Sequence, residues 1–262
     1  MKANRFRQAL AEGRVPVGHM ISEFATRGVA KIVEAAELDF VFIDMEHTAI
    51  DPARVADLIA WFKATPIAPF VRVPQGLYHF IARTLDAGAL GVMVANVETA
   101  EQAKEIVYAA KYAPLGRRGV GLGLAHTDYR NPEPAAYFRE ANENTTVIAM
   151  IESWRGLANV DSIAATEGVD MLWVGHFDLT QSMGIPAQFQ DPRFLEALRT
   201  VAAAAKIHGK PLGIQPGNLE QARQWQELGC TVFSCGNDVS VYSSALVAGV
   251  AALRNAVGSA RE

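Results

Sequence analysis

Eight short apolar runs, each followed by a stretch with helical spacing, constrain this chain more than any other feature. The runs are VPVGHMIS (15–22), DFVFIDMEH (39–47), IAPFVRVP (67–74), ALGVMVANV (89–97), TTVIAMIES (145–153), VDMLWVGHFD (169–178), GKPLGIQP (209–216) and CTVFSCGND (230–238). Most are hydrophobic almost without a break, as parallel strands covered on both faces are. The segments between them carry helix signals. Asp51-Pro52 and Asp191-Pro192 each place an N-cap before a proline at the first helical position. Thr99 with Gln102 forms a capping box, and Gly88 and Gly229 mark helix ends. Helical patterns are read over 24–37, 78–87, 99–110, 192–208, 219–228 and 239–257. Eight strand–helix repeats in 262 residues fit a (β/α)8 TIM barrel, one domain over 1–262. A doubly wound sheet fits less well, because no G-x-G-x-x-G follows the first run. One long interruption, about 98–144, has a helix over 99–112 and then a loop with GRRGVGLG (116–123). Inserts of this kind serve as lids or interface arms.

Composition narrows the class. Half of the residues are hydrophobic and 20% are charged, so the chain buries a large core. Net charge is −4 and no Lys/Arg-rich run is present, which is no nucleic-acid signature. Cys230 and Cys235 form neither a disulfide framework nor a zinc spacing. No apolar run reaches the ~18 residues needed to span a bilayer. The opening MKANRFRQALAEGRVPVG lacks a signal-peptide core. A cytoplasmic protein that contacts no membrane is the expectation.

In such a barrel, chemistry sits at the C-terminal ends of the strands. The second run ends in Asp44, Glu46 and His47, the third in Arg72, the fifth in Glu152 and the sixth in Asp178. One such residue is explained by a structural salt bridge; a set converging from four strands is better explained by function. Glu152 and Asp178 suit a hard divalent cation, since Mg²⁺ takes one or two protein carboxylates and fills its shell with water and substrate oxygens. Arg72 suits a carboxylate or a developing oxyanion. His47 can move a proton near neutral pH. Together they suggest enolate chemistry next to a carboxylate. The lysines are Lys2, Lys31, Lys63, Lys104, Lys111, Lys206 and Lys210, and none falls at a strand's C-terminal end. A Schiff-base aldolase is therefore disfavoured.

Other candidates are weaker. His176 is either a third ligand or, the preferred reading, a loop-end histidine packed on Phe177. His19 is equally open. His126, in the insert, reads by default as a solvated loop residue. Trp61, Trp154, Trp173 and Trp225 read as core or interface, and both cysteines as buried thiols.

IDMEH (43–47), VRVP (71–74), RGVG (118–121), IES (151–153) and VGHFDLT (174–180) resemble, in order and spacing, the HpcH/HpaI aldolase family of 4-hydroxy-2-oxoheptanedioate aldolase type. The likeness covers nearly the whole chain. It implies a class II pyruvate aldolase on a phosphoenolpyruvate/pyruvate-type TIM barrel. By resemblance, Glu152 and Asp178 bind Mg²⁺, Mn²⁺ or Co²⁺, with Asp44 and Glu46 ordering the surrounding water. Arg72 holds the keto oxygen of pyruvate. His47 is the acid/base, and Asp86 of LDAG (85–88) pairs with it. Backbone N–H groups of Phe177 and Asp178 take the pyruvate carboxylate. The resemblance also implies a homo-hexamer, a trimer of dimers, with the last helix exchanged between neighbours. The chain departs from the family pattern at Met150, where glutamine is usual. It departs again at His176-Phe177, where the usual motif is G-P-A-D, and at Gln215, which adds a polar group near the substrate. The partners implied are a small 2-oxo acid and an aldehyde. Two other readings stand beside this one: a citrate-lyase-like enzyme acting on acyl-CoA thioesters, and a non-catalytic barrel that binds small acids.

Overall fold

A computed structural model describes residues 1–258. Its eight parallel strands close into a barrel in chain order. They are β1 (Val17–Ile21), β2 (Phe40–Asp44), β3 (Ala68–Val73), β4 (Gly91–Val94), β5 (Thr146–Ile151), β6 (Met171–Val174), β7 (Leu212–Ile214) and β8 (Val232–Asn237). Around them run α1 (Arg5–Ala11), α2 (Val29–Glu34), α3 (Pro52–Phe62), α4 (Tyr78–Asp86), α5 (Ala100–Ala110) and α6 (Pro134–Asn144). The circuit continues with α7 (Trp154–Ala158), α8 (Val160–Ala164), α9 (His176–Ser182), α10 (Pro192–Ile207), α11 (Leu219–Glu227) and α12 (Asp238–Gly258). The capping signals hold: the Asp51 and Asp191 side chains accept from Arg54 N and Arg193 N, and Thr99 with Gln102 closes its capping box.

Strand alternation sorts the barrel into two cores. One parity faces the helices and builds an aliphatic shell of Val41, Ile43, Val71, Val92, Val147, Leu172 and their neighbours. The other parity fills the interior with large residues: Phe40, Phe42, Phe70, Met93, Ile148, Met150, Met171 and Trp173. The same inward parity, continued to the C-terminal rim, reaches Asp44 after Phe42, Arg72 after Phe70, Glu152 after Met150 and Gln215 after Gly213. The apolar plug thus ends where the polar rim begins.

Several elements differ from the sequence reading. The amphipathic helix α1 closes the floor, where Phe6 packs edge-on to Phe40 and Phe70, with centroids 5.5 and 5.1 Å apart. The 98–144 interruption contains a second helix, α6, capped by the Glu133 side chain ahead of Pro134. This insert packs on the outer helices: Lys63 at the C-cap of α3 donates to Asp128, Arg118 donates to Asp86, and Gly119 N donates to Tyr78 Oη. The last two contacts run along α4 from Tyr78 at its start to Asp86 at its end. At the other end of the chain, α12 stands off the barrel with Val239, Tyr242, Leu246, Val250 and Leu253 exposed. By length and composition it is the one helix among the described residues able to cross a membrane, with a mean hydropathy of 1.2. The sequence reading passed over it because serines and Arg254 break its apolar run.

Candidate active site

Arg72 and the carboxylates meet at the C-terminal rim. Arg72 Nε and Nη2 donate to Asp44 Oδ1 and Oδ2, both at 2.8 Å, a bidentate pair across neighbouring strands. Asp44 and Arg72 are direct partners in the β2–β3 register, which sets this geometry. Both side chains are buried. Arg72 Nη1 lies 3.1 Å from Glu46 Oε2, yet that buried oxygen receives no hydrogen bond. Burial raises the Glu46 pKa against the pull of Arg72.

Glu152 follows β5 and is 7% exposed. Its Oε1 accepts from Asn96 N at 2.6 Å. Burial, reinforced by the charge of Glu46, pushes its pKa up to about 8. At Gly175 an added Cβ would overlap Glu152 Oε2, so this turn needs glycine to let the carboxylate approach.

Asp178 corrects one expectation. β6 ends at Val174, and Asp178 sits exposed in the first turn of α9 rather than at a strand end. The aromatic stretch His176-Phe177 prolongs the apolar run in the sequence, while the backbone has already turned into a helix. Asp178 still faces the site. It lines one cavity of about 340 Å³ with Glu46, His47, Asn96, Glu152 and Ser182. It lines an adjoining one of similar volume with Arg72, Met150, Trp173, Phe177, Gln215 and Asn237. His47 borders both, 64% exposed, with Nε2 3.8 Å from Glu46 Oε2. The first N–H groups of α9, at Phe177 and Asp178, have no intrahelical acceptor.

Asp86 is not brought to His47 within the chain. It ends α4, which runs back to the floor, and its Oδ1 accepts from Arg118 Nη2 at 2.6 Å. A nine-residue helix spans about 13 Å, which separates its two ends by the depth of the barrel wall. His176 packs against Phe177, Phe189 and Trp225 at 4.7, 4.9 and 5.5 Å between centroids, and burial lowers its pKa to about 4. That is the packed histidine, not the third ligand. His19 Nδ1 meets Cys235 O, and His126 is buried against Asp86 O instead of solvated. Cys230 is buried, whereas Cys235 is exposed. The sequence reading missed Asn96, whose backbone anchors Glu152 from a left-handed conformation at φ 56°. Its signal was the polar end of the fourth run, overlooked because asparagine does not ionise.

Among the described residues no group of three or more His, Cys, Asp or Glu is arranged to hold a metal. The donor set is two carboxylates, Glu152 and Asp178, beside the unsatisfied oxygen of Glu46. Asp44, Glu46 and Glu152 around a single arginine, with Asp178 lining the same cavity as Arg72, leave surplus negative charge at the mouth. The residues present therefore fit a divalent cation that keeps part of its water.

Known proteins resemble the chain along nearly its whole length. Residues 21–245 match the family described as HpcH/HpaI aldolase/citrate lyase. The chain is 35% identical over 242 residues to 5-keto-4-deoxy-D-glucarate aldolase of Citrobacter koseri, covering 92% of this chain and 93% of the relative. The crystal structure of an HpcH/HpaI aldolase from Desulfitobacterium hafniense superposes with a TM-score of 0.89 at 30% identity, covering 95% and 96% of the two chains. The citrate synthase SbnG superposes with a TM-score of 0.87 at 32% identity, covering 96% and 98%.

Proposed function

The chain belongs to the HpcH/HpaI aldolase/citrate lyase family, and from that premise we propose that it is a carbon–carbon lyase of the class II aldolase kind. It cleaves a 4-hydroxy-2-oxo acid to pyruvate, or a related 2-oxo acid, and an aldehyde. The single observation that carries this reading is the surplus of buried carboxylate around Arg72 at the barrel mouth. A relative named for a keto-deoxy sugar acid supports the same reaction class.

Glu152 and Asp178 are the residues to hold a divalent metal (Mg²⁺, Mn²⁺ or Co²⁺), which when bound supplies a Lewis acid for the 2-oxo group. Arg72 faces the oxygen on which charge develops. Asp44 holds its guanidinium by two bonds, so the donor is oriented before reaction and costs no reorganisation. The free N–H groups of Phe177 and Asp178 receive the substrate carboxylate, favoured by the positive end of α9. His47, exposed at the mouth, takes the proton of the C4 hydroxyl as the C3–C4 bond breaks. Asp44 and Glu46 order water beside the metal carboxylates.

A thioester reading requires cations for the phosphates of CoA. Arg72, a fixed cation that lines one of the two cavities, is enclosed by carboxylates. The exposed apolar face of α12 supports a homo-oligomer, a hexamer of exchanged dimers, in which a second copy covers that helix. The test is a screen of 4-hydroxy-2-oxo acids for pyruvate release with and without chelator. Release that stops on chelation and returns with Mg²⁺, Mn²⁺ or Co²⁺ is expected. Full turnover after exhaustive chelation overturns the metal role, and no release from any member overturns the aldolase reading.

A further inference from the structure

The rim of the mouth is divided. Its charged groups come from β2, β3, β5 and the β6–α9 turn, whereas the β7–β8 side presents amides, Gln215 and Asn237. Gln215 is held there by close packing below it. Gly213, two residues earlier on the same parity, lies so near the Trp173 ring that an added Cβ would overlap it. The strand therefore presses onto Trp173, and Gln215 projects inward at the next level.

The Oε1 of Gln215 is buried and has no hydrogen-bond partner among the described residues. A buried acceptor left unsatisfied is destabilising and calls for a partner. No side chain lining the cavity supplies one: His47, Arg72, Trp173, His176 and Asn237 carry N–H groups, yet none donates to this oxygen. The missing partner is thus sought in the substrate. The 2-oxo acid end is matched by the ionic wall, so the part that reaches Gln215 is the aldehyde portion.

We infer that Gln215 is a specificity residue whose buried amide hydrogen-bonds a hydroxyl on the aldehyde portion, so that hydroxylated aldehydes are preferred over aliphatic ones of equal size. The inference rests on the aldolase reading and deepens it. Either orientation of the amide serves, because a hydroxyl both donates and accepts, while a methyl group does neither. An apolar side chain at this position would leave no polar group to satisfy and would accept both aldehydes.

Glycolaldehyde and propionaldehyde have the same number of heavy atoms and differ by one hydroxyl for one methyl. Aldol addition of pyruvate to each, measured as kcat/KM at saturating pyruvate, gives a preference ratio. Comparing that ratio between wild type and Gln215→Leu cancels the intrinsic reactivity of the aldehydes. The ratio is expected to fall about tenfold in Gln215→Leu, the scale of one lost hydrogen bond. Gln215→Met, closer in shape, is expected to show the same fall and serves if the leucine variant does not fold. A ratio unchanged within about twofold, or an equal loss for both aldehydes, overturns the inference. Exchange of pyruvate methyl protons with deuterated solvent by the metal-loaded wild type tests the underlying reading without any aldehyde. Exchange with an unaltered ratio sinks the inference alone, whereas absent exchange sinks the aldolase reading itself.

Discussion

The floor and the mouth of the barrel both bury charge, and they balance it differently. At the floor, Lys111 is 2% exposed, and its ammonium donates to Asn142 O, Thr145 O and Asp170 Oδ2 at 2.7, 2.6 and 3.0 Å. Asp170 in turn accepts from Arg7 and from Val147 N, both at 2.8 Å. Every proton of the ammonium has an acceptor, and one carboxylate lies between two cations. At the mouth, Asp44, Glu46, Glu152 and Asp178 surround Arg72, and a buried oxygen of Glu46 goes without a donor. Burial of charge alone marks neither end as functional. A set in which every buried polar atom has a partner is architecture, and a buried carboxylate oxygen left without a donor is an invitation to a ligand.

The strongest test of that contrast is Arg72→Ala. It should lower turnover a hundredfold or more, since losing one oxyanion donor costs about 2.7–4 kcal/mol of barrier. Arg72→Lys should not restore it, because an ammonium cannot reproduce the planar two-bond fit to Asp44. Steady-state kinetics on folded protein reads both. Near-normal turnover in Arg72→Ala would make Arg72 part of the architecture, like its counterpart at the floor.

Lys111→Met should behave in the opposite way. Breaking a buried pair costs about 3–5 kcal/mol, and the low end applies because Arg7 still pairs with Asp170. Urea unfolding should show the loss, while turnover per folded molecule stays close to wild type. A collapse of turnover in folded Lys111→Met would erase the distinction between the two ends.

The remaining effect expected is a pH slope in stability. Glu152 has a folded pKa of about 8 against an ordinary value of 4.5. Between these values the folded chain retains a proton that the unfolded chain has released, so stability falls as pH rises through that window. Chelated protein should show this decline in Tm. Mg²⁺ or Mn²⁺ should flatten it, because a cation favours the ionised carboxylate. A metal-independent slope would detach Glu152 from the cation site.

All eight strands could be read from hydrophobic runs, and Asp44, Arg72 and Glu152 from the polar residues that end them. Inward parity is a local property, which is why those three meet as expected. Asp178 borders the mouth but stands on a helix and not at a strand end, because Gly175-His176-Phe177 is as apolar as a strand while turning into a helix. Asp86 was misplaced for a different reason. Proximity to VRVP in sequence hides the return of α4 to the floor, and no short motif records which end of a helix a residue reaches. The cap at Glu133-Pro134 was legible as an acid–proline start, but only Asp-Pro was taken as that signal. Asn96 acts through its backbone N–H, a role any residue type can fill, so the polar end of the fourth run marked the position without marking the role.

The account depends most on the cation at the mouth, and calorimetric titration with Mn²⁺ addresses it directly. One ion per chain should bind to wild type and to Lys111→Met, with affinity falling by at least about tenfold in Glu152→Gln and in Asp178→Asn, the scale on which metal-site partners act. No binding to wild type, or equal binding to Glu152→Gln, would contradict the claim that the carboxylate surplus is a metal site.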